Sequence, residues 1–104
     1  NQSSEHASIS LKSARNTDRI YSDKELNEMI TAERILEIDS ATDKTVISCL
    51  CGGKSVTEIA AACFLTDSGV KYRIKRILEK CRISDKSELV STVKRYLPNY
   101  GKNP

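Results

Sequence analysis

Residues 53–90 read GKSVTEIAAACFLTDSGVKYRIKRILEKCRISDKSELV, and the fold turns on this run. Ser55 followed three residues later by Glu58 is a capping box. Each of the two side chains accepts a hydrogen bond from a backbone N–H that a helix start leaves free. Behind it, Ile59, Ala60 and Cys63 predict a short helix over about 56–63. A tight polar turn around Leu65-Thr66 follows. Thr66, ahead of Asp67 and Ser68, is an N-cap. Val70, Ile74, Ile77, Leu78 and Cys81 then recur near the helical period and predict a longer helix over about 67–81. A short helix, a tight turn and a second helix make a helix-turn-helix, and a helix presented in this way fits the major groove of duplex DNA.

The chemistry of the second helix agrees with that shape. Its apolar positions fall on one arc, while Ser68, Tyr72, Lys75, Arg76 and Glu79 project from the opposite arc and Lys71, Arg73 and Lys80 flank the seam. Residues 71–86 hold seven basic and two acidic side chains, a net +5 that equals the whole surplus of residues 39–104. Residues 1–38, with five basic and seven acidic side chains, sum to −2. A local basic cluster is the electrostatic footprint of a polyanion partner. A solvated helix face has the same composition; the turn that precedes this one favours the groove-reading role.

Outward from this run, three more helices are expected. Ser22 with Glu25 opens one over about 23–37, with Leu26, Met29, Ile30 and Ile35 as its apolar stripe. Ser40 with Asp43 opens one over about 41–51, stopped by Gly52-Gly53, which supply the positive φ of a C-cap. Asp85 with Glu88 opens the last, about 86–97, ended by Pro98. Residues 1–21 lack a sustained period and read as linker, apart from a short strand-like alternation at Ile9 and Leu11. The helix over 23–37 is either linker or a helix that packs on the domain, because its stripe needs a partner. The expected organisation is therefore an all-α small helical bundle: a 1–38 segment with one amphipathic helix, a 39–98 four-helix domain and a frayed 99–104 tail. A start at Asn1 rather than Met suggests a piece of a longer chain.

Several classes of function are disfavoured. No apolar run approaches the roughly 18 residues of a membrane helix, and no signal segment opens the chain. Four cysteines, Cys49, Cys51, Cys63 and Cys81, lack the doubled pair spacing of a zinc site, and His6 lies far off in a polar tail. They read as small buried thiols. No paired carboxylates, no Ser-His or Cys-His arrangement and no phosphate loop appear. Gly52-Gly53-Lys54-Ser55 has neither the spacing nor the preceding strand of a P-loop. The expectation is a protein with no catalytic residues, metal or cofactor.

The run Gly53–Val90 resembles the DNA-binding domain of the LuxR/GerE/NarL family, and the likeness extends from about Ser40 to Leu97. Gly53, Ser55, Glu58, Ile59 and Ala60 match the family's first block. Thr66, Val70, Lys71 and Ile74 match its second, Ile77, Leu78 and Lys80 its third, and Glu88 and Val90 its fourth. Gly69 replaces a usual Thr that in the family helps to hold a phosphate, Thr57 a Lys, Arg73 a common His and Cys81 a Leu. Ala41 stands where the family has Pro. The resemblance implies base contacts by Lys71, Tyr72 and Lys75. For phosphates it implies Arg73, Arg76, Lys80, Ser55, Thr57, Thr66 and Ser68. It implies a dimer contact through Val90, Val93 and Leu97, on an inverted-repeat site. It also implies duplex DNA as partner, a preceding receiver or sensor domain and a cytoplasmic location. Two rival readings carry the same fold: a sigma-factor-like region that also binds RNA polymerase, and a protein-interaction module. Gly69 and the acidic Glu79 favour the second rival.

Overall fold

The structure is a computed structural model that describes residues 20–102. The expected linker up to residue 19 and the alternation at Ile9 and Leu11 lie outside the described residues. Five helices follow one another: α1 (Asp23–Leu36), α2 (Ala41–Cys51), α3 (Val56–Cys63), α4 (Asp67–Cys81) and α5 (Lys86–Tyr96). No strand occurs among the described residues. The all-α class, with α3 and α4 as the helix-turn-helix, is the one the apolar spacing predicts.

Two of the expected capping boxes close fully. Ser22 Oγ accepts from Glu25 N while Glu25 Oε1 accepts from Ser22 N. Ser55 and Glu58 do the same at 3.1 and 2.8 Å, and those bonds hold the Glu58 carboxyl below its usual range. At α2, Ser40 Oγ accepts from Asp43 N, but the Asp43 carboxylate turns to Arg73 instead of closing a box. At α5, Asp85 caps Glu88 N, and Glu88 reaches past it to Ser84 N and Oγ. Of the two glycines after α2, only Gly53 takes a positive φ, +78°; Gly52 stays at −84°.

Every helix contributes to one core. Ile35 and Ile38 from α1 and its exit pack with Val46, Ile47, Ile59, Val70, Ile74, Ile77, Ile83, Leu89 and Val93. The first helix is therefore not a free linker. It lies against α5 and α4, buries Met29, Ala32 and Ile35, and is tied to α5 where Tyr96 Oη donates to Glu28 Oε1 at 2.8 Å. A boundary at residue 38 would pass through the core.

The tail also differs from expectation. Residues 97–102 form a turn in which Tyr100 N donates to Leu97 O and Lys102 N to Asn99 O. Tyr100 packs on the core. Gly101, at φ +75°, lies so close to α2 that a Cβ would collide with Ser48 Oγ. An aromatic ring with apolar surface to bury holds residues 97–102 against the helices. The four thiols are free, Cys81 fully buried and the other three half-buried. Burial pushes the thiols of Cys51, Cys63 and Cys81 up.

Candidate nucleic-acid interface

The turn that aims α4 is made by a residue that the sequence reading passed over. Phe64 ends α3 in the left-handed region, φ +57° and ψ +44°. The next N–H, of Leu65, then closes on Ala60 O at 2.9 Å. Had α3 continued, Phe64 would fall four residues after Ala60, on the core face. The left-handed conformation swings it out instead, and the residue is 95% exposed. Leu65 turns back onto the core. Thr66 Oγ1 accepts from Gly69 N at 2.9 Å and starts α4. A second clamp holds the two helix starts together: Thr57 Oγ1 donates to Asp67 Oδ2 at 3.1 Å.

Helix α4 buries Val70, Ile74, Ile77 and Cys81. Ser68, Lys71, Tyr72, Lys75, Arg76, Glu79 and Lys80 are all exposed. They divide between two flanks. Lys71 and Lys75 rim a depression of about 550 Å³ floored by Val56, Ile74, Leu78 and Ile83. Tyr72, Arg73, Arg76 and Lys80 line one of about 450 Å³ that reaches Ser40 at the start of α2. The three expected base-contacting side chains are thus free of the core but straddle the helix.

Two of the basic residues are already engaged. Arg76 Nη1 donates to Tyr72 Oη at 3.0 Å, with the guanidinium 5.8 Å from the ring centre. Arg73 Nη1 donates to Asp43 Oδ1 at 3.0 Å, an ion pair whose side chains are 36% and 15% exposed. Arg73, expected at a phosphate, instead fastens α4 to α2. Its spacing places it at the helix seam, where the partner it meets depends on what packs there. Among the expected hydroxyls, Ser55 and Thr66 accept from backbone N–H groups. Each keeps its own proton to donate to an anion. Thr57 spends its proton on Asp67. Ser68 is exposed in the first turn of α4. At Gly69 a Cβ would stand 3.2 Å from Thr66 Oγ1, so the side chain missing here leaves the N-cap uncrowded.

The expected dimer set separates in the structure. Val93 is 3% exposed and belongs to the core, so it cannot meet a second chain. Val90 and Leu97 are half-buried, and Leu97 packs against the core. The spacing could not distinguish these positions, because a helix with one seam facing its own domain and one facing a partner shows a single broad stripe. Among the described residues no group of three or more His, Cys, Asp or Glu side chains could hold a metal ion. Among them, too, no helix is long and apolar enough to cross a membrane.

A family model described as bacterial regulatory proteins, luxR family, matches residues 40–93. No curated protein and no solved structure gave a match to the chain. The matched segment opens at Ser40, the N-cap of α2, and runs to Val93 in α5. It contains the helix-turn-helix with its exposed basic face and leaves α1 outside. The chain therefore belongs to the luxR family of bacterial regulatory proteins and carries that family's DNA-binding helix-turn-helix domain.

Proposed function

We propose that the domain is the sequence-reading output end of a transcription regulator, with α4 seated in the major groove. The observation that carries this reading is the exposed face of α4. There Lys71, Tyr72 and Lys75 stand clear of the core, on a helix that a helix-turn-helix and two interhelical clamps hold in place. Lysine ammonium groups donate to guanine O6 and N7, and a flat ring packs on a thymine methyl. Arg76, Lys80, Ser68 and the hydroxyl protons of Ser55 and Thr66 supply phosphate contacts, which set register without reading sequence. Arg73 and Thr57 act one step back, by holding α4 against α2 and α3. Two copies on an inverted repeat would meet through Val90 and Leu97, at the rim of α5. In the longer protein a receiver or sensor domain supplies the signal.

The test is selection of bound sequences from a randomised duplex library, run beside Lys71→Glu/Lys75→Glu. The expected result is an enriched inverted repeat that the double variant loses. Salt-sensitive binding with no enriched sequence would leave only a non-specific DNA binder. A folded sample that binds no duplex at low salt would overturn the reading and favour a protein-interaction module.

A further inference from the structure

The positive surface does not stop at the end of α4. The depression that Lys80 shares with Tyr72 and Arg76 has a smaller neighbour, of about 280 Å³, lined by Lys80, Arg82, Arg34, Glu37 and Ile38. That one in turn shares Arg34 and Arg82 with a groove along α1 that also takes in Lys24. Three cations thus converge from different parts of the chain. Arg34 comes from the last turn of α1 and Lys80 from the last turn of α4. Arg82 is the left-handed residue, φ +58°, that caps α4. Burial is the largest influence on the Cys81 thiol, and the charges of Arg34, Lys80 and Glu37 all reach it.

None of these three cations is in an ion pair among the described residues. Of the carboxylates nearby, one is paired with a cation, and two accept from hydroxyls that leave their charge in place. Glu28 accepts from Tyr96, Glu88 from Ser84, and Asp43 holds Arg73. Glu37 lines the same depression, and Glu28 and Glu88 line the groove along α1 with Lys24, Arg34 and Arg82. Three cations against one carboxylate leave the depression net positive, and a net positive patch attracts a polyanion. The strip is continuous with the proposed phosphate contacts of α4 through Lys80, which lines both depressions.

We infer that Arg34 and Arg82 join Lys80 in a second phosphate strip that seats the duplex backbone beyond the α4 footprint, so that α1 is part of the DNA interface. This inference rests on the DNA reading above. It makes the working interface larger than the segment 40–93 that defines the family match.

The test is the salt dependence of binding, measured with the full chain on a duplex of about three helical turns, long enough to reach past one half-site. Arg34→Gln/Arg82→Gln removes two contacts and should lower the slope of log K against log salt by about 1.8, at roughly 0.9 per phosphate contact. Arg34→Lys/Arg82→Lys keeps the charges and should keep the slope. Lys94→Gln/Lys102→Gln removes the same net charge elsewhere, Lys94 standing beside Cys51, and should also keep it. A second measurement needs no variant. Neutral methylphosphonate linkages placed outside the half-site should weaken binding of the unaltered chain. If that chain binds and the Gln pair has its slope, or the Lys94/Lys102 pair loses as much, the strip is overturned while the DNA reading stands. Methylphosphonates without effect overturn it equally. If the unaltered chain binds no duplex at low salt, both fall together.

Discussion

Asp43→Asn should change stability and DNA binding in opposite directions. The Asp43–Arg73 pair spans 3.0 Å, with Asp43 mostly buried and Arg73 about one-third exposed. Fully exposed pairs contribute up to about 1 kcal/mol, while hydrogen bonds to charged groups contribute roughly 1.5–3 kcal/mol. The half-screened position places the loss at about 1 kcal/mol. Asparagine keeps the shape and one acceptor oxygen, so no cavity forms. The Ser40 cap is untouched, because it uses the backbone N–H of residue 43. For a domain of this size the melting temperature should fall by roughly 4–8 °C. The same change removes a negative charge from the flank of α4 and releases Arg73 beside Arg76 and Lys80. One added phosphate contact should steepen the salt dependence of DNA binding by about 0.9 in log–log slope. The variant should melt lower and bind tighter at low salt. Thermal unfolding followed by circular dichroism and a fluorescence-anisotropy titration over a range of salt read the two effects separately. An unchanged melting temperature would show that the pair contributes nothing. Weaker DNA binding would refute the second half, because Arg73 would then serve the interface by its attachment to Asp43.

Further outcomes follow from other residues. Burial, first of all, pushes the Tyr100 phenol up to about 12, against about 10 in an unfolded chain. The folded chain keeps a proton that the unfolded chain sheds, so stability is full below the unfolded value and falls as pH rises towards the folded one. Tyr100→Phe should remove the Tyr100 share of that alkaline loss in denaturation at stepped pH. Its hydroxyl is buried without a hydrogen-bond partner, so stability at neutral pH should hold or rise by up to about 1 kcal/mol; a clear drop would mean that the hydroxyl is bonded. Phe64→Gly loses no buried surface and relieves a left-handed residue worth about 1–2 kcal/mol, part of which the freer unfolded chain takes back. It should match or exceed the parent in chemical denaturation, while Phe64→Val should lose about 1 kcal/mol; equal stability of the two variants would sink the strain argument. Val93→Ala should cost about 2 kcal/mol through lost burial and a cavity, independent of protein concentration. A loss that appears only on dilution would restore Val93 to a dimer contact.

The participation of α1 in the core changes how the domain is delimited. Ile35 and Ile38 are as deeply buried as the residues of the helix-turn-helix, and Glu28 is bonded to the Tyr96 hydroxyl of α5. A truncation at the start of the family segment would strip these side chains from Leu89, Val93 and their neighbours. The same helix brings a third cation, Arg34, to Lys80 and Arg82 at the end of α4, one that residues 40–93 alone do not supply.

What could be read from the chain alone was local. Caps and apolar period placed all five helices within a residue of their ends, because a helix start is satisfied by side chains three residues away and a helix face repeats every three to four. The order of short helix, polar turn and basic helix was likewise a local pattern, and so were the solvent-facing positions of Tyr72, Lys75 and Arg76. What only the tertiary structure decided was which group met which across the chain. Asp43 left its own helix start for Arg73, thirty residues away. Val93 went to the core and Val90 to the rim, although both lie on one stripe. Tyr100, after a helix-ending proline, found apolar surface to bury and ordered the tail. Phe64 left the core face because it took a left-handed conformation directly after α3. Each of these outcomes depends on the surface that another helix presents, and the spacing of residues within one helix carries no record of that surface.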